Sequence, residues 1–143
     1  MVKTLCHGSY MEDTVRRLAM RMKLHRLRGG VVHHCALLKR MLDLQGIKTE
    51  LVKGFCVSPG DVCEHYWVRT VPSGLNLDIG YEVACLYTPE LKELQVMLLD
   101  SIPAELAGVE VKRQEDHARL FELYKTDPKT FWDETPVDVR RFR

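Results

Sequence analysis

The chain has 143 residues and a formal net charge of +1, with 45% hydrophobic, 29% charged and 8% aromatic residues. That apolar content excludes a disordered or low-complexity chain, and the length suffices for one ordinary core over residues 1–143 as a single domain. No apolar run approaches the roughly 20 residues of a membrane-spanning helix, and residues 1–10 hold no signal-peptide apolar segment, so the expected location is cytoplasmic (intracellular).

Residues 1–30 carry seven Lys/Arg against Glu12 and Asp13, while the rest carries 14 basic against 18 acidic residues. The near-neutral total therefore hides a basic first segment. Glu12 to Arg28 reads as a helix with Val15, Leu18, Ala19 and Met22 on its apolar stripe. Its acidic start and its basic end at Arg26 and Arg28 suit the helix dipole, and Gly29-Gly30 stops it. A second helix is expected from about His33 to Gln45, buried through Leu37, Leu38, Met41 and Leu42, with Gly46 as its C-terminal cap. The period then changes. Lys48 to Cys56, Glu64 to Val71 and Leu75 to Val83 read as strands, the last two joined by Pro72-Ser73-Gly74. Thr88-Pro89 opens a helix through Leu91, Leu94 and Leu98 that ends before Pro103. Val109 to Lys112 reads as a short strand and Gln114 to Lys125 as a helix. The last 18 residues are turn-rich, with Phe131 and Trp132 as docking anchors. Helices, then an antiparallel sheet, then helices make an α+β fold.

The cysteine count is five, an odd number. Without a secretion signal these are expected as free thiols or ligands rather than a disulfide framework. Cys35 is predicted in the first turn of the second helix, at the edge of its apolar stripe, hence partly packed and partly reachable. Unpaired N–H groups and the dipole favour a thiolate there, and could also hold an oxyanion. Such a nucleophile needs a base and the base an orienting partner. With a connecting loop of Thr70 to Ser73, Arg69 pairs with Gly74, and His65 falls directly opposite Asp78. A tight Ser73-Gly74 turn would slide the pair four residues apart, about 13 Å.

In order along the chain stand Cys35-Ala36-Leu37-Leu38, Gly46-Ile47, Leu51-Val52-Lys53-Gly54, His65-Tyr66-Trp67 and Leu77-Asp78. From about residue 30 to 80 this set resembles the transglutaminase-like core of the papain-like cysteine enzymes. The resemblance implies a papain-like fold with a C-terminal helical elaboration over residues 88–143. It also implies a catalytic triad: Cys35 as nucleophile, His65 as general base and acid, Asp78 as its orienter. Members of that family (cysteine proteases, amidases, deamidases and acyl transferases) act through a thioester. Peptide or protein amides are then the expected substrates, with no metal or organic cofactor. A more distant similarity is to arylamine N-acetyltransferases, through Arg28-Gly29-Gly30 ahead of Cys35.

Other readings stay open. Cysteine is among the most buried residue types, so Cys35 taken alone reads as packing. His65 alone reads as a hydrogen-bonded core histidine, and Asp78 as a strand-end residue. Trp67 reads as core, on the same sheet face as His65. His33, His34, Cys35, Cys56, Cys63 and His65 offer zinc ligands, but not at the short paired spacings of structural zinc sites. Cys6-His7 and Cys85 read as bystanders. The basic first helix and Arg140-Arg141-Phe142-Arg143 lack a phosphate loop or aromatic–basic interleaving, so a solvated face is favoured over nucleic acid. The alternative to an enzyme is a catalytically inactive transglutaminase-like structural or interaction protein, a homodimer being one form it could take.

Overall fold

The computed structural model describes residues 5–25, 30–113 and 115–140. Helix α1 (Leu5–Leu24) leads into α2 (Val31–Leu44), and β1 (Thr49–Ser58) with β2 (Asp61–Thr70) follows as a long hairpin. Then come β3 (Asn76–Leu77), α3 (Ile79–Tyr87), β4 (Met97–Leu99) and β5 (Val111–Lys112), with short 3-10 helices at Pro89–Glu93 and Ala104–Leu106. Helices α4 (Glu115–Thr126), α5 (Pro128–Glu134) and α6 (Val137–Arg140) follow. The class is α+β. The strand order is β3-β2-β1-β4, all antiparallel, and β5 lies parallel to the outer edge of β2. Among the described residues, no helix is long and apolar enough to cross a membrane.

Helix α2 sits at the centre because its sequence has almost no polar face in its first half. Val32 through Leu38 are all buried, whereas an ordinary surface helix buries one stripe. Met11, Val15, Leu18, Ala19 and Met22 of α1 share one core cluster with it, as do Phe121, Phe131 and Val139 of the last three helices. Tyr66 and Val68 of β2 point into that cluster. The alternate residues Cys63, His65, Trp67 and Arg69 point to the other face of the sheet. Trp67 is fully buried there, on the same face as His65 as expected, with ring centroids 6.1 Å apart. Its ring lies over Gly54, where an added Cβ would stand 2.5 Å from Trp67 Cη2 and 2.6 Å from Leu99 O. No larger residue fits at that point.

Several elements differ from expectation, each for a local reason. Helix α1 starts at Leu5, so Glu12 and Asp13 are interior and its first turn holds no acid. The expected end at Arg26 and Arg28, like Gly29, lies outside the described residues, as do Arg141 to Arg143. Helix α2 starts two residues early, at Val31, with Gly30 as its N-cap. The third strand stops at Leu77 because the next residue, Asp78, caps α3 by accepting the Tyr81 N–H. The helix expected through Leu98 is only a 3-10 helix, because the chain turns extended to lay β4 on β1. The final stretch is helical, with Asp127 capping α5 and Pro128 at its first position. Phe131 docks fully buried between His33, Tyr124 and Trp132.

Candidate functional site

His65 and Asp78 meet. His65 Nε2 lies 2.7 Å from Asp78 Oδ2, and the two side chains are 13% and 10% exposed, sheltered but reachable. The carboxylate divides its work, since Oδ1 accepts the Tyr81 N–H at 3.0 Å while Oδ2 accepts from the imidazole. That bond directs the Nε2–H to Asp78 and leaves the Nδ1 lone pair as the basic position. The route to this contact differs from the predicted one. Arg69 pairs with Asn76, not with Gly74, and Val68 pairs with Leu77. The loop Val71 to Leu75 carries a cis Val71–Pro72 bond. In this register Asp78 does not stand across the sheet from His65. It is the turn into α3 that carries the carboxylate to the imidazole.

Cys35 is elsewhere. The expectation of a partly reachable thiol in the first helical turn is not met, because Cys35 is fully buried and lies in the second turn. Its thiol donates to the backbone carbonyl of Tyr66, 3.4 Å away. Burial first, and the Asp78 carboxylate second, push this thiol well above its ordinary range. Both causes oppose a thiolate. The predicted help from the helix end also lapses, since in the second turn the backbone N–H groups are already bonded along the helix. Among the described residues no hydrogen bond joins Cys35 to His65.

Val31, the first residue of α2, borders Gly80 together with the imidazole. A Cβ added at Gly80 would lie 3.3 Å from Val31 Cγ1, 3.4 Å from His65 Cε1 and 3.5 Å from Asp78 Oδ1. The first residue of α2, the pair on β2 and α3, and the backbone of α3 thus converge on one point. Val31 is the residue at the free-amide end of the helix, and Cys35 lies one turn, about 6 Å, deeper along the axis. Val31 and Gly80 were not anticipated. The glycine pair ahead of Val31 was the available signal, since glycine is a tolerated N-cap and would start the helix immediately.

The remaining candidates separate. Cys56 and Cys63 face each other across β1 and β2, and Cys85 is buried. The side chains of Cys6 and His7 lie outside the described residues. His33 and His34 are buried beside the last helices, with His33 stacked 4.8 Å from Phe131. The pKa values of both are lowered to about 4, chiefly by burial and then by neighbouring histidines. Among the described residues, no group of three or more His, Cys, Asp or Glu side chains is arranged to hold a metal ion. The six residues weighed as zinc ligands do not converge. A cleft lined by Ala36, Arg40, Asp43, Leu44, Tyr124 and Trp132 contains none of Cys35, His65 and Asp78. No protein-family model, curated protein or solved structure matches the chain.

Proposed function

We propose that the chain is a transglutaminase-like scaffold that keeps the His–Asp half of a triad and serves as a binding or structural protein rather than as a Cys35 enzyme. The observation that carries this reading is the fully buried Cys35 thiol, which donates to Tyr66 O and is pushed well above its ordinary range. Val31, a side chain with no nucleophile, borders Gly80 together with His65 and supports it further. The likeness to the papain-like core rests on element order, a helix followed by a hairpin, a His strand and an aspartate beyond it. The test is iodoacetamide labelling of the native chain between pH 5 and 9, with the modified cysteines mapped. Cys35 is expected to label more slowly than the half-exposed Cys63 throughout. Rapid labelling of Cys35 that persists below pH 8 and weakens in His65→Ala would overturn the reading.

A second reading is favoured by one observation, the 2.7 Å His65–Asp78 pair with its free Nδ1. In it the Cys35 sulfur leaves Tyr66 O and gives its proton to His65 Nδ1. The thiolate then attacks a peptide or protein amide carbonyl. The imidazolium protonates the departing amine, and water or a second amine resolves the thioester. Asp78 holds the ring throughout. Turnover of an amide or ester substrate that is lost in both Cys35→Ala and His65→Ala would establish this reading over the first.

A further inference from the structure

We propose that Cys56 and Cys63 are a redox site, closing reversibly to an intrachain disulfide across the β1–β2 hairpin. The two residues are direct partners in the strand register, and both thiols are free and half-buried. Direct partners share one face of the sheet, so both sulfurs project to the same side. The spacing follows from the ladder. Tyr66 O is directed to Cys35, away from β1, so Tyr66 and Lys53 form a non-hydrogen-bonded pair. Pairs alternate along an antiparallel ladder, so three positions back Cys63 and Cys56 form a hydrogen-bonded pair, with Cα atoms about 5.5 Å apart. That lies within the roughly 4.4–6.8 Å that a disulfide spans.

The site is near the turn of the hairpin. Beyond it come only the pairs Val57–Val62 and Ser58–Asp61, and then the turn at Pro59 and Gly60, whose φ is 76°. The two Cβ atoms, about 5.5 Å apart in a hydrogen-bonded pair, must close to the roughly 3.5–4.5 Å of a disulfide while β4 and β5 hold the outer edges of the same two residues. Partial burial keeps the sulfurs from bulky partners while leaving them open to small ones. Among the described side chains, the alternative partners Cys35 and Cys85 are fully or nearly fully buried, at 0% and 3% exposed. Neither reading of the His65 region is needed for this site.

The oxidant is a small disulfide of the glutathione type. Cys63 loses its proton to water or buffer, and its thiolate attacks one sulfur of the reagent. The reagent S–S bond breaks, and one glutathione leaves as a thiolate. Cys56, deprotonated in turn, attacks the Cys63 sulfur and expels the second glutathione. The chain loses two electrons and two protons, and the reagent is reduced to two thiols. Several groups face the pair and govern its rate. The Cys63 thiol donates to Asp61 Oδ2 at 3.5 Å, and Lys112 lies 3.3 Å from the other oxygen of the same carboxylate. Asp78 acts on Cys56 from farther off. Burial and these carboxylates hold both thiols above their ordinary range, so the reaction is slow at neutral pH.

The test uses the full chain with excess glutathione disulfide at mildly alkaline pH, acid quenching, maleimide capping and peptide mapping. The expected product has lost two hydrogen masses, yields a peptide linking Cys56 to Cys63, and reverts with dithiothreitol. Cys56→Ser is expected to stop at a stable glutathione adduct on Cys63. The rate should rise about tenfold per pH unit below the thiol pKa. Stable adducts on both cysteines without a link, or a link from either one to a different cysteine, would overturn the proposal. Phenylarsine oxide, which bridges adjacent thiols, gives an arm that needs no variant. It should protect both cysteines from maleimide in the folded chain, and failure to protect them counts equally against the pair.

Discussion

Replacing Val31 by cysteine puts a thiol where α2 meets His65. Two features there favour its ionised form: the unpaired amides at the helix start and the imidazole held by Asp78. Thiols so placed have pKa values of about 3.5–7.5, against about 8.5 for an ordinary cysteine. At neutral pH an ordinary thiol is roughly 3% ionised, and one with a pKa near 7 is half ionised, a gain of roughly 15-fold in reactive species. The substitution shortens a half-buried side chain and should cost about 1 kcal/mol or less. The assay is the iodoacetamide rate at position 31 as a function of pH, read by peptide mapping. The introduced thiol should titrate below pH 7.5, and adding His65→Ala should return it toward ordinary behaviour. Titration near 8.5 that is indifferent to His65 would refute the view that this helix end and the His–Asp pair form one site.

Four further outcomes follow from the same structure. Asp78→Ala removes both the α3 cap and the His65 partner, and should lower stability by about 1–3 kcal/mol in urea unfolding, whereas Asp78→Asn, which keeps a cap acceptor, should lose less than half of that. Gly54→Ala drives a methyl group into the Trp67 ring and the Leu99 carbonyl, so a loss of about 1–3 kcal/mol and a changed tryptophan emission are expected. Phe131→Ala empties a fully buried position under His33 and should cost roughly 3–5 kcal/mol. The folded pKa values of His33 and His34, about 4, lie below the unfolded value of about 6.5. Their contribution to stability is therefore present above pH 6.5 and is lost as the pH falls toward 4. The two rings repel each other when charged and share the effect, which is on the order of 3 kcal/mol for the pair, and a urea midpoint unchanged between pH 7 and 4.5 would contradict it.

The class of fold was legible because hydrophobic period changes where the architecture changes. Val15, Leu18, Ala19 and Met22 are spaced as a helix and are buried as one, and β2 alternates along most of its length. What misled was punctuation. The run Leu75 to Val83 is apolar enough for a strand, but the side chain of Asp78 offers a local hydrogen bond to Tyr81 and converts the rest to helix. The same signal, Asp127 followed by Pro128, starts α5 in a segment whose composition otherwise suits turns. The partnership of His65 with Asp78 was foreseen through a register that the chain does not use. Burial of Cys35 was not foreseen, because a helical wheel ranks the faces of one helix and carries no information on how many neighbours will cover it. Helix α1, the sheet and the last three helices together leave the first half of α2 no exposed face.

The chemistry at this site turns on where α2 starts. A start at His33 would put Cys35 in the first turn, its sulfur favoured by free amides and open to the base. A start at Val31 puts the same residue two positions further in, where its N–H is committed to the helix and its sulfur donates to a carbonyl. The terminal amides then belong to a residue that cannot ionise. His65 and Asp78 are unaffected by that shift, because their contact is built from β2 and the cap of α3, and the cap is also required to start that helix. A His–Asp pair that doubles as a helix cap serves folding whether or not a nucleophile faces it. Its presence is therefore weak support for catalysis, and the burial of the Cys35 thiol is the stronger observation.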